Sequence, residues 1–450
     1  MEIKEFINKN LNNMINDLAT LVSHNSVFAQ DAQPFGKENK ACLDDALKIF
    51  ESKGLRTKNV DYYCGYGEVG EGNKLIGILG HLDIVPAGDG WRTNPFMLTE
   101  IDECLYGRGV SDDKGAVVAS LYAIKYLLDE KYEFKKRVRL IVGCNEENGS
   151  AGIAYYNKHE EPVSYGFTPD GDFPGIYAEK GMITGKIIGH NSKIVDIEGG
   201  MASNIVCDKL VIKVEKGSFD ENKLKAFLDE HNIKFDLDIA DVVTLTTYGR
   251  SSHGSTPDDG VNAINYALEA LYAAGYEDTF VSFFHKNFAL NNHASALGFK
   301  EMDDEVTDTT LNFGVAKKRG DDIILSVDLR FPVTGDPDTA LALFEKCEDE
   351  NNEFGLANKI EPLYYNINTP FIKALKKAYE DVTGDTQTEM MAIGGGTYAK
   401  EMKNIIAYGC QFLGEDNNIH EKNERLTIDS FKKQVELYAQ AIKNLNEMED

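Results

Sequence analysis

The stretch "KLIGILGHLD", Lys74–Asp83, decides how the chain is read. Six of its first eight residues are apolar or glycine, which is typical of a buried strand. His81 and Asp83 then follow where such a strand leaves the core. A core histidine with satisfied hydrogen bonds is one interpretation, and it is the more common one for a lone histidine. A metal ligand with its own orienting carboxylate is the other, and the rest of the chain has to decide between them.

Length and composition predict a large protein of two or three domains, because the chain has 450 residues, of which 42% are hydrophobic. Lys and Arg total 47 and Asp and Glu total 74, which gives a net charge of −27. This charge disfavours nonspecific binding to nucleic acid or to an anionic membrane.

The cellular setting is predicted from the N-terminus and the cysteines. The first 22 residues favour an amphipathic helix over a signal peptide, and no stretch approaches the ~18 apolar residues of a membrane span. The seven cysteines are scattered, with no C-x-x-C pair. Reduced thiols and a cytoplasmic location are therefore expected. Cys144 is interpreted as a structural thiol.

Hydrophobic patterning divides the chain. Apolar strands alternate with helical segments over the first 180 residues, which predicts an α/β layer with a mixed sheet flanked by helices. After Gly181 the strands alternate in polarity, which indicates an inserted α+β domain with an antiparallel sheet. The predicted boundaries give a discontinuous first domain at 1–181 and 365–450, and an inserted second domain at 182–364.

Chemically active residues follow four predicted strands of the first domain. In open α/β sheets, ligands bind beyond the carboxyl ends of the strands. Each residue alone has a structural alternative: a solvated turn for Glu146-Glu147, a Pro-Asp-Gly turn for Asp170, and a helix cap for Asp112. Their coincidence at one edge favours a site formed by His81, Asp112, Glu146, Glu147, Asp170 and His420.

These side chains form a ligand set for divalent metals. Two imidazoles and three carboxylates suit Zn²⁺, Mn²⁺ or Co²⁺. Five ligands exceed the usual three of one catalytic zinc, but they are enough for two ions if one carboxylate is shared. Glu146 and Glu147 are adjacent, so one can bind metal while its neighbour takes a proton from water. Asp83 fits the role of an acceptor for the second ring nitrogen of His81.

The chain resembles the co-catalytic zinc peptidases in five motifs that occur in family order: "GHLDIVPAGDGW", "LYGRGVSDDKG", "NEENGS", "TPDGDFP" and "NIHEKNE". That family includes aminoacylase, acetylornithine deacetylase, succinyl-diaminopimelate desuccinylase, carboxypeptidase G and carnosinase-type dipeptidases. Further segments, "GWRTNPF", "TPDGDFPGIYAEKG" and "GGGTYAK", resemble its branch of PepV-type bacterial dipeptidases. The resemblance implies a zinc-peptidase catalytic domain with a lid and two divalent ions, with Zn²⁺ expected first and Mn²⁺ or Co²⁺ as alternatives.

The resemblance also implies a role for each residue of the metal site. It places His81 and Asp170 on one ion, Glu147 and His420 on the other, and Asp112 between them. Asp112 matches the bridging position because it lies three residues after the second glycine of "GRG". The neighbouring Asp113 has no assigned role, and neither has Asp89. Glu146 would be the general base, and Asp83 would orient His81.

The lid would supply the groups that hold the substrate. His253, in "GRSSHGSTPDDG", would polarise the scissile carbonyl, although a surface histidine is the alternative. Asn204 and Arg330 match positions that bind the substrate, and an Arg suits a peptide carboxylate. Backbone N–H groups of Gly394, Gly395, Gly396 and Thr397 could bind the same carboxylate before a helix-like segment. A flexible glycine turn is the alternative there.

The predicted function is metal-dependent hydrolysis of short unblocked peptides, with dipeptides of the Xaa-His or β-Ala-His type among the substrates. The alternative is an N-acyl amino-acid deacylase that uses the same metal site. A third hypothesis, an inactive metal-binding homologue, is disfavoured because Glu146 and all five metal ligands are present. A small peptide is the expected partner, and a monomer is predicted, with a homodimer as the alternative.

Overall fold

The computed structural model describes residues 1–449 and divides the chain into two compact units. Unit 1 comprises Met1–Tyr177, Tyr365–Met391 and the segment from Gly396 to the C-terminus. Unit 2 comprises Ala178–Tyr364 together with Ala392–Gly395. The chain therefore enters unit 2 about four residues before the boundary predicted from the sequence. The sequence analysis also does not predict that 392–395 belong to unit 2.

The first part of unit 1 alternates strands and helices. Its elements are α1 (Ile3–Val22), α2 (Lys37–Ser52), β1 (Arg56–Val60), β2 (Cys64–Val69), β3 (Leu75–His81), β4 (Thr99–Ile101), β5 (Cys104–Tyr106), α3 (Lys114–Asp129), β6 (Arg137–Gly143), α4 (Ala151–His159), β7 (Tyr165–Thr168) and β8 (Ile176–Glu179). Strand β8 carries the chain into unit 2.

Unit 2 is built mainly from strands. Its elements are β9 (Gly181–Gly189), β10 (Asp196–Gly199), β11 (Lys209–Glu215), α5 (Glu221–Glu230), β12 (Lys234–Ile239), β13 (Val242–Tyr248), α6 (Ala263–Ala273), α7 (Thr279–Asn287), β14 (Thr310–Asn312), β15 (Ala316–Arg319), β16 (Asp322–Phe331), α8 (Pro337–Glu345), β17 (Asn352–Ile360) and β18 (Leu363–Tyr364).

The last part of the chain completes unit 1, except for Ala392–Gly395, which belong to unit 2. Its elements are α9 (Pro370–Thr383), β19 (Met391–Ile393), β20 (Ile405–Ala407), β21 (Arg425–Thr427) and α10 (Ile428–Glu447), of which β19 crosses from unit 1 into unit 2. Among the residues that the structure describes, no helix is both long and apolar enough to span a membrane.

The main sheet of unit 1 is mixed, and its strand order is β1-β2-β6-β3-β7-β20-β8. Strands β6, β3, β7 and β20 run parallel to one another, so their carboxyl ends meet at one edge. Every residue of β3 is buried, and helices α3 and α10 pack on it. This burial explains the continuous apolar run of β3, because a parallel strand covered on both faces has no solvent side.

Unit 2 contains an antiparallel sheet with the order β12-β13-β11-β10-β15-β16-β9-β17. Buried residues alternate along β11 and β13, and α6 packs on both strands. Helices α5 to α8 each begin after an Asp or Asn whose side chain accepts a backbone N–H of the first turn. The predicted fold class, a mixed α/β layer with an inserted antiparallel α+β unit, is confirmed.

Candidate metal centre

The candidate site lies at the carboxyl edge of the parallel strands of unit 1. His81 is the last residue of β3, and the Glu146-Glu147 pair follows β6 after two residues. Asp170 follows β7 after one residue, and His420 lies in the segment between β20 and β21. The strand order therefore accounts for the convergence, since adjacent parallel strands deliver their trailing residues to the same edge.

His81 is fully buried and has a partner for each ring nitrogen. Nδ1 lies 3.0 Å from the main-chain oxygen of Asp83, and Nε2 lies 3.0 Å from Oδ1 of Asp112. Burial lowers the pKa of His81, but the hydrogen bond and charge of Asp112 outweigh it and raise that pKa well above its usual value. When Nδ1–H donates to the carbonyl of Asp83, Nε2 is the nitrogen that can bind a metal in place of its proton.

Asp112 lies between the two histidines. Its Oδ2 is 2.9 Å from Nε2 of His420, and the same nitrogen is 3.1 Å from Oε1 of Glu147. One ligand atom from each of His81, Asp112 and Glu147 lies within 4.8 Å of the others. His420 adopts φ 63°, in the left-handed region that residues other than glycine rarely occupy. These contacts bring four of the five predicted ligands together.

Asp113 faces a different environment from its neighbour. It is fully buried, and its Oδ2 accepts the backbone N–H of His81 at 3.1 Å. A Cβ atom on Gly80 would lie 2.5 Å from the same oxygen, so the position before His81 requires glycine. The side chain of Asp113 thus supports the end of β3, while that of Asp112 reaches both histidines.

Asp83 makes hydrogen bonds that the sequence reasoning did not foresee. Its Oδ1 accepts the backbone N–H of Glu146 at 2.9 Å, and its Oδ2 accepts that of Glu147 at 3.0 Å. The same carboxylate lies 3.7 Å from Nδ1 of His81, farther than its own main-chain oxygen. Asp83 therefore holds the Glu146-Glu147 turn with its side chain and the imidazole of His81 chiefly with its carbonyl.

The carboxylates of this edge are crowded. Burial, followed by repulsion from neighbouring acids, raises the pKa of Glu146 to about 8 despite the opposing charge of His81. Burial and the charge of Asp112 raise the pKa of Asp170 to about 7. The hydrogen bonds to Asp112 and Glu147 raise the pKa of His420 to about 10. A divalent cation that bound at this edge would therefore displace protons from its ligands.

The donor set fits divalent metal ions. Imidazole nitrogens and carboxylate oxygens are the ligands of catalytic zinc, and the cluster offers both within bonding reach of a common centre. Asp112 presents one oxygen to each histidine, as a carboxylate shared by two ions would. Asp170 interacts with this cluster through its charge, because the negative charges of Asp112 and Glu147 help to raise its pKa.

His253, in unit 2, is held as a neutral hydrogen-bond donor. Its Nδ1 accepts the backbone N–H of Ser255 at 3.2 Å and lies 2.7 Å from Ser255 Oγ. Partial desolvation and the positive charge of Arg330 lower the pKa of His253. Because Nδ1 accepts, the proton resides on Nε2, which leaves Nε2–H to donate to a ligand.

Arg330 has a partner that sequence reasoning missed. Its Nε and Nη2 donate to the two oxygens of Asp328, at 2.6 and 2.9 Å, and Nη1 donates to the main-chain oxygen of Gly394 at 3.1 Å. Asp328 stands two residues earlier on β16, a spacing that puts both side chains on one face of the strand. The main-chain oxygen of Asn204 accepts the N–H of Gly254 at 2.7 Å, which ties Asn204 to the His253 turn.

The glycine segment after β19 is divided between the units. Gly394 and Gly395 belong to unit 2, and Gly396 and Thr397 to unit 1. A Cβ atom on Gly394 would lie 2.6 Å from Cβ of Ser255, so this position requires glycine. Thr397 caps only a four-residue 3₁₀ turn, Tyr398–Glu401, rather than the helix that the sequence suggested. One such turn carries little of the dipole of a full helix.

Comparison with known proteins gives a family match and close relatives. A sequence profile of peptidase family M20/M25/M40 matches residues 77–444. The "Putative dipeptidase YtjP" of Bacillus subtilis is 34% identical over 453 residues, covering 96% of this chain and 97% of its own. A protein of Staphylococcus haemolyticus with the same "putative dipeptidase" description is 32% identical over 467 residues, covering 98% and 99%.

The fold is also similar to solved structures. Human carnosine dipeptidase 1 superposes with a TM-score of 0.60 at 17% identity, covering 99% of this chain and 98% of its own. At that identity the likeness establishes the fold.

Proposed function

Because the chain belongs to peptidase family M20/M25/M40, whose members are metal-dependent hydrolases, we propose that it is a dipeptidase that hydrolyses short unblocked peptides. One observation carries the proposal: ligand atoms of His81, Asp112 and Glu147 lie within 4.8 Å of one another at the edge where Glu146 also lies. The descriptions of the two curated relatives support dipeptides as the substrate class.

The proposed cofactors are two divalent ions, Zn²⁺ before Mn²⁺ or Co²⁺. His81 and Asp170 would hold one ion, Glu147 and His420 the other, and Asp112 both. When bound, the ions supply a water acidified to a pKa near 7 and polarise the scissile carbonyl. The crowding of acids supports this assignment, since only added positive charge lets all of them ionise together near neutral pH.

Glu146 is the proposed general base. It takes a proton from the attacking water and returns it to the leaving amine, so a single carboxylate serves both halves of the reaction. Asp83 fixes the backbone of Glu146 through one carboxylate oxygen and that of Glu147 through the other. The base and its metal-binding neighbour are thereby positioned by the same side chain.

Unit 2 is proposed as the lid that supplies substrate contacts. His253 would donate Nε2–H to the oxyanion, a role that suits an imidazole kept neutral. Arg330 would bind the peptide carboxylate with the guanidinium N–H groups that do not already donate to Asp328 or Gly394. The rigid pairing with Asp328 favours recognition of one carboxylate in one orientation over binding of anions in general. Asn204 and the backbone from Gly394 to Thr397 would complete the substrate contacts.

A substrate panel tests the proposal. Zinc-reconstituted protein is assayed for amine release with unblocked dipeptides including β-Ala-His, with a tripeptide, and with N-acetyl and N-succinyl amino acids. We expect hydrolysis of dipeptides, and kcat/KM at least tenfold lower for the tripeptide and for the acylated amino acids. Preference for the N-acyl substrates would replace the dipeptidase assignment with that of a deacylase.

A further inference from the structure

Glu424 is a buried carboxylate that the proposed mechanism leaves unused. It lies four residues after His420, and its relative exposure is 0%. A buried carboxylate is stable only where hydrogen-bond donors surround it, so its partners show what it holds in place.

Four donors converge on this carboxylate. Oε1 accepts the backbone N–H groups of Ser111 and Asp112 at 2.9 and 3.1 Å. Oε2 accepts the backbone N–H of Gly109 at 2.9 Å and Nη1 of Arg108 at 2.8 Å. Arg108 is itself 1% exposed, so the ion pair is shielded from water. Both oxygens are therefore engaged by the turn that presents Asp112.

The attachment extends along the segment that carries His420. The side chain of Asn417, three residues before His420, donates to Oγ of Ser111 at 3.1 Å. The main-chain oxygen of Glu424 accepts the N–H of Gly107 at 3.2 Å. The His420 segment is thus joined to the Asp112 turn on both sides of the histidine, by contacts at Asn417 and at Glu424.

We infer that Glu424 is a positioning residue of the metal centre: its carboxylate fixes the backbone of Asp112 relative to the segment that presents His420. This inference rests on the proposed metal site, because Asp112 is the carboxylate placed between the two histidines. Residues that orient metal ligands typically change metal affinity 10–100-fold when they are removed.

The chemistry at this position requires a carboxylate of this length. A glutamine would turn its NH₂ group toward donors that need an acceptor, which leaves buried N–H groups unpaired. An aspartate would keep the charge but is shorter by one methylene, so it cannot meet all four donors at once. Both substitutions should loosen the Asp112 turn, and the charge-conserving one should do so with less risk to folding.

The test is zinc binding by the full-length chain after chelation, measured by competition with a chromophoric chelator. The variants are Glu424→Gln and Glu424→Asp. The control is Glu68→Gln, because Glu68 is also a buried carboxylate of unit 1 and receives both Nε and Nη2 of Arg139. Arg139 lies four residues before the end of β6, about 13 Å from the metal edge along the strand.

We expect the zinc dissociation constant to rise about 10–100-fold in Glu424→Gln and at least about threefold in Glu424→Asp. Glu68→Gln should bind zinc like the wild type even where its melting temperature falls. Wild-type affinity in Glu424→Asp, or equal losses in the Glu424 and Glu68 variants, would overturn the inference. A wild-type protein that binds no zinc would instead refute the proposed metal site.

Discussion

Replacement of Glu146 by glutamine is the substitution that isolates the proposed general base. Glutamine keeps the size and hydrogen-bonding capacity of the side chain but cannot accept the proton of the attacking water. The backbone N–H at this position still donates to Oδ1 of Asp83, so the turn and its neighbour Glu147 should remain in place. We therefore expect Glu146→Gln to lose turnover while it retains its metal.

The expected loss of turnover in Glu146→Gln follows from the proposed role of Glu146 as general base. General-base catalysis contributes about 10²–10⁴ in rate, which corresponds to about 2.7–5.5 kcal/mol of activation free energy. Burial and neighbouring acids raise the pKa of Glu146 to about 8 when no metal is bound, and the charge of two bound cations would lower it toward the range in which the carboxylate accepts a proton at neutral pH.

The assay compares adjacent substitutions. Glu146→Gln and Glu147→Gln are measured for kcat on a dipeptide and for bound zinc by mass spectrometry. Both backbones are held by the same aspartate, so the two variants share their local support. The first should keep its zinc and lose kcat, and the second should lose zinc affinity, because Oε1 of Glu147 lies in the ligand cluster with Nε2 of His420.

The reasoning fails if Glu146→Gln retains more than about a tenth of wild-type kcat with a full complement of metal. It also fails if the two variants exchange behaviour, since Glu146 would then be the ligand and Glu147 the base. A melting temperature for each variant shows that any loss of turnover arises in a folded protein.

Three further results are expected. His253→Ala should lower kcat about 10²–10³-fold with unchanged zinc content, because a hydrogen bond to the oxyanion is lost; normal turnover would remove unit 2 from the mechanism. In Asp83→Asn, the side-chain NH₂ group faces the backbone N–H of either Glu146 or Glu147, which then lacks an acceptor. Zinc affinity and kcat should therefore both fall. A change in neither would show that the turn is held by other contacts. Zinc binding at pH 7 should release protons, because the pKa values of His420 and Asp170 are raised to about 10 and 7. Zinc affinity should therefore rise with pH. Calorimetry that gives the same heat of binding in buffers of different ionisation enthalpy would contradict this.

The hydrophobic patterning of the strands predicts much of the fold. The apolar runs before His81, Glu146 and Asp170 are parallel strands because only fully buried strands tolerate such composition, and the alternation after Gly181 marks an antiparallel sheet. Helices α5 and α7 are hard to predict from the sequence although Asp220 and Asp278 cap them, because each is only ten or nine residues long and shows few turns of periodicity.

The details of the site were less accessible. Which of two adjacent acids reaches the histidine rings depends on the backbone path at Asp112 and Asp113, so residue type alone does not decide it, and only the resemblance to the family motif favoured Asp112. The bonds from Asp83 to the Glu146-Glu147 turn join residues more than sixty positions apart, so only the register of β3 against β6 brings them together. The pairing of Asp328 with Arg330, by contrast, could be predicted, because residues two positions apart on a strand lie on the same face.

Zinc reconstitution of the chelated protein tests the central claim most directly. Dipeptide hydrolysis is measured as zinc is added in known equivalents. The metal site proposed here predicts no turnover without metal and a rise that reaches its plateau at two equivalents. Full dipeptide hydrolysis by the metal-free protein, or zinc binding that brings no hydrolysis, would contradict it.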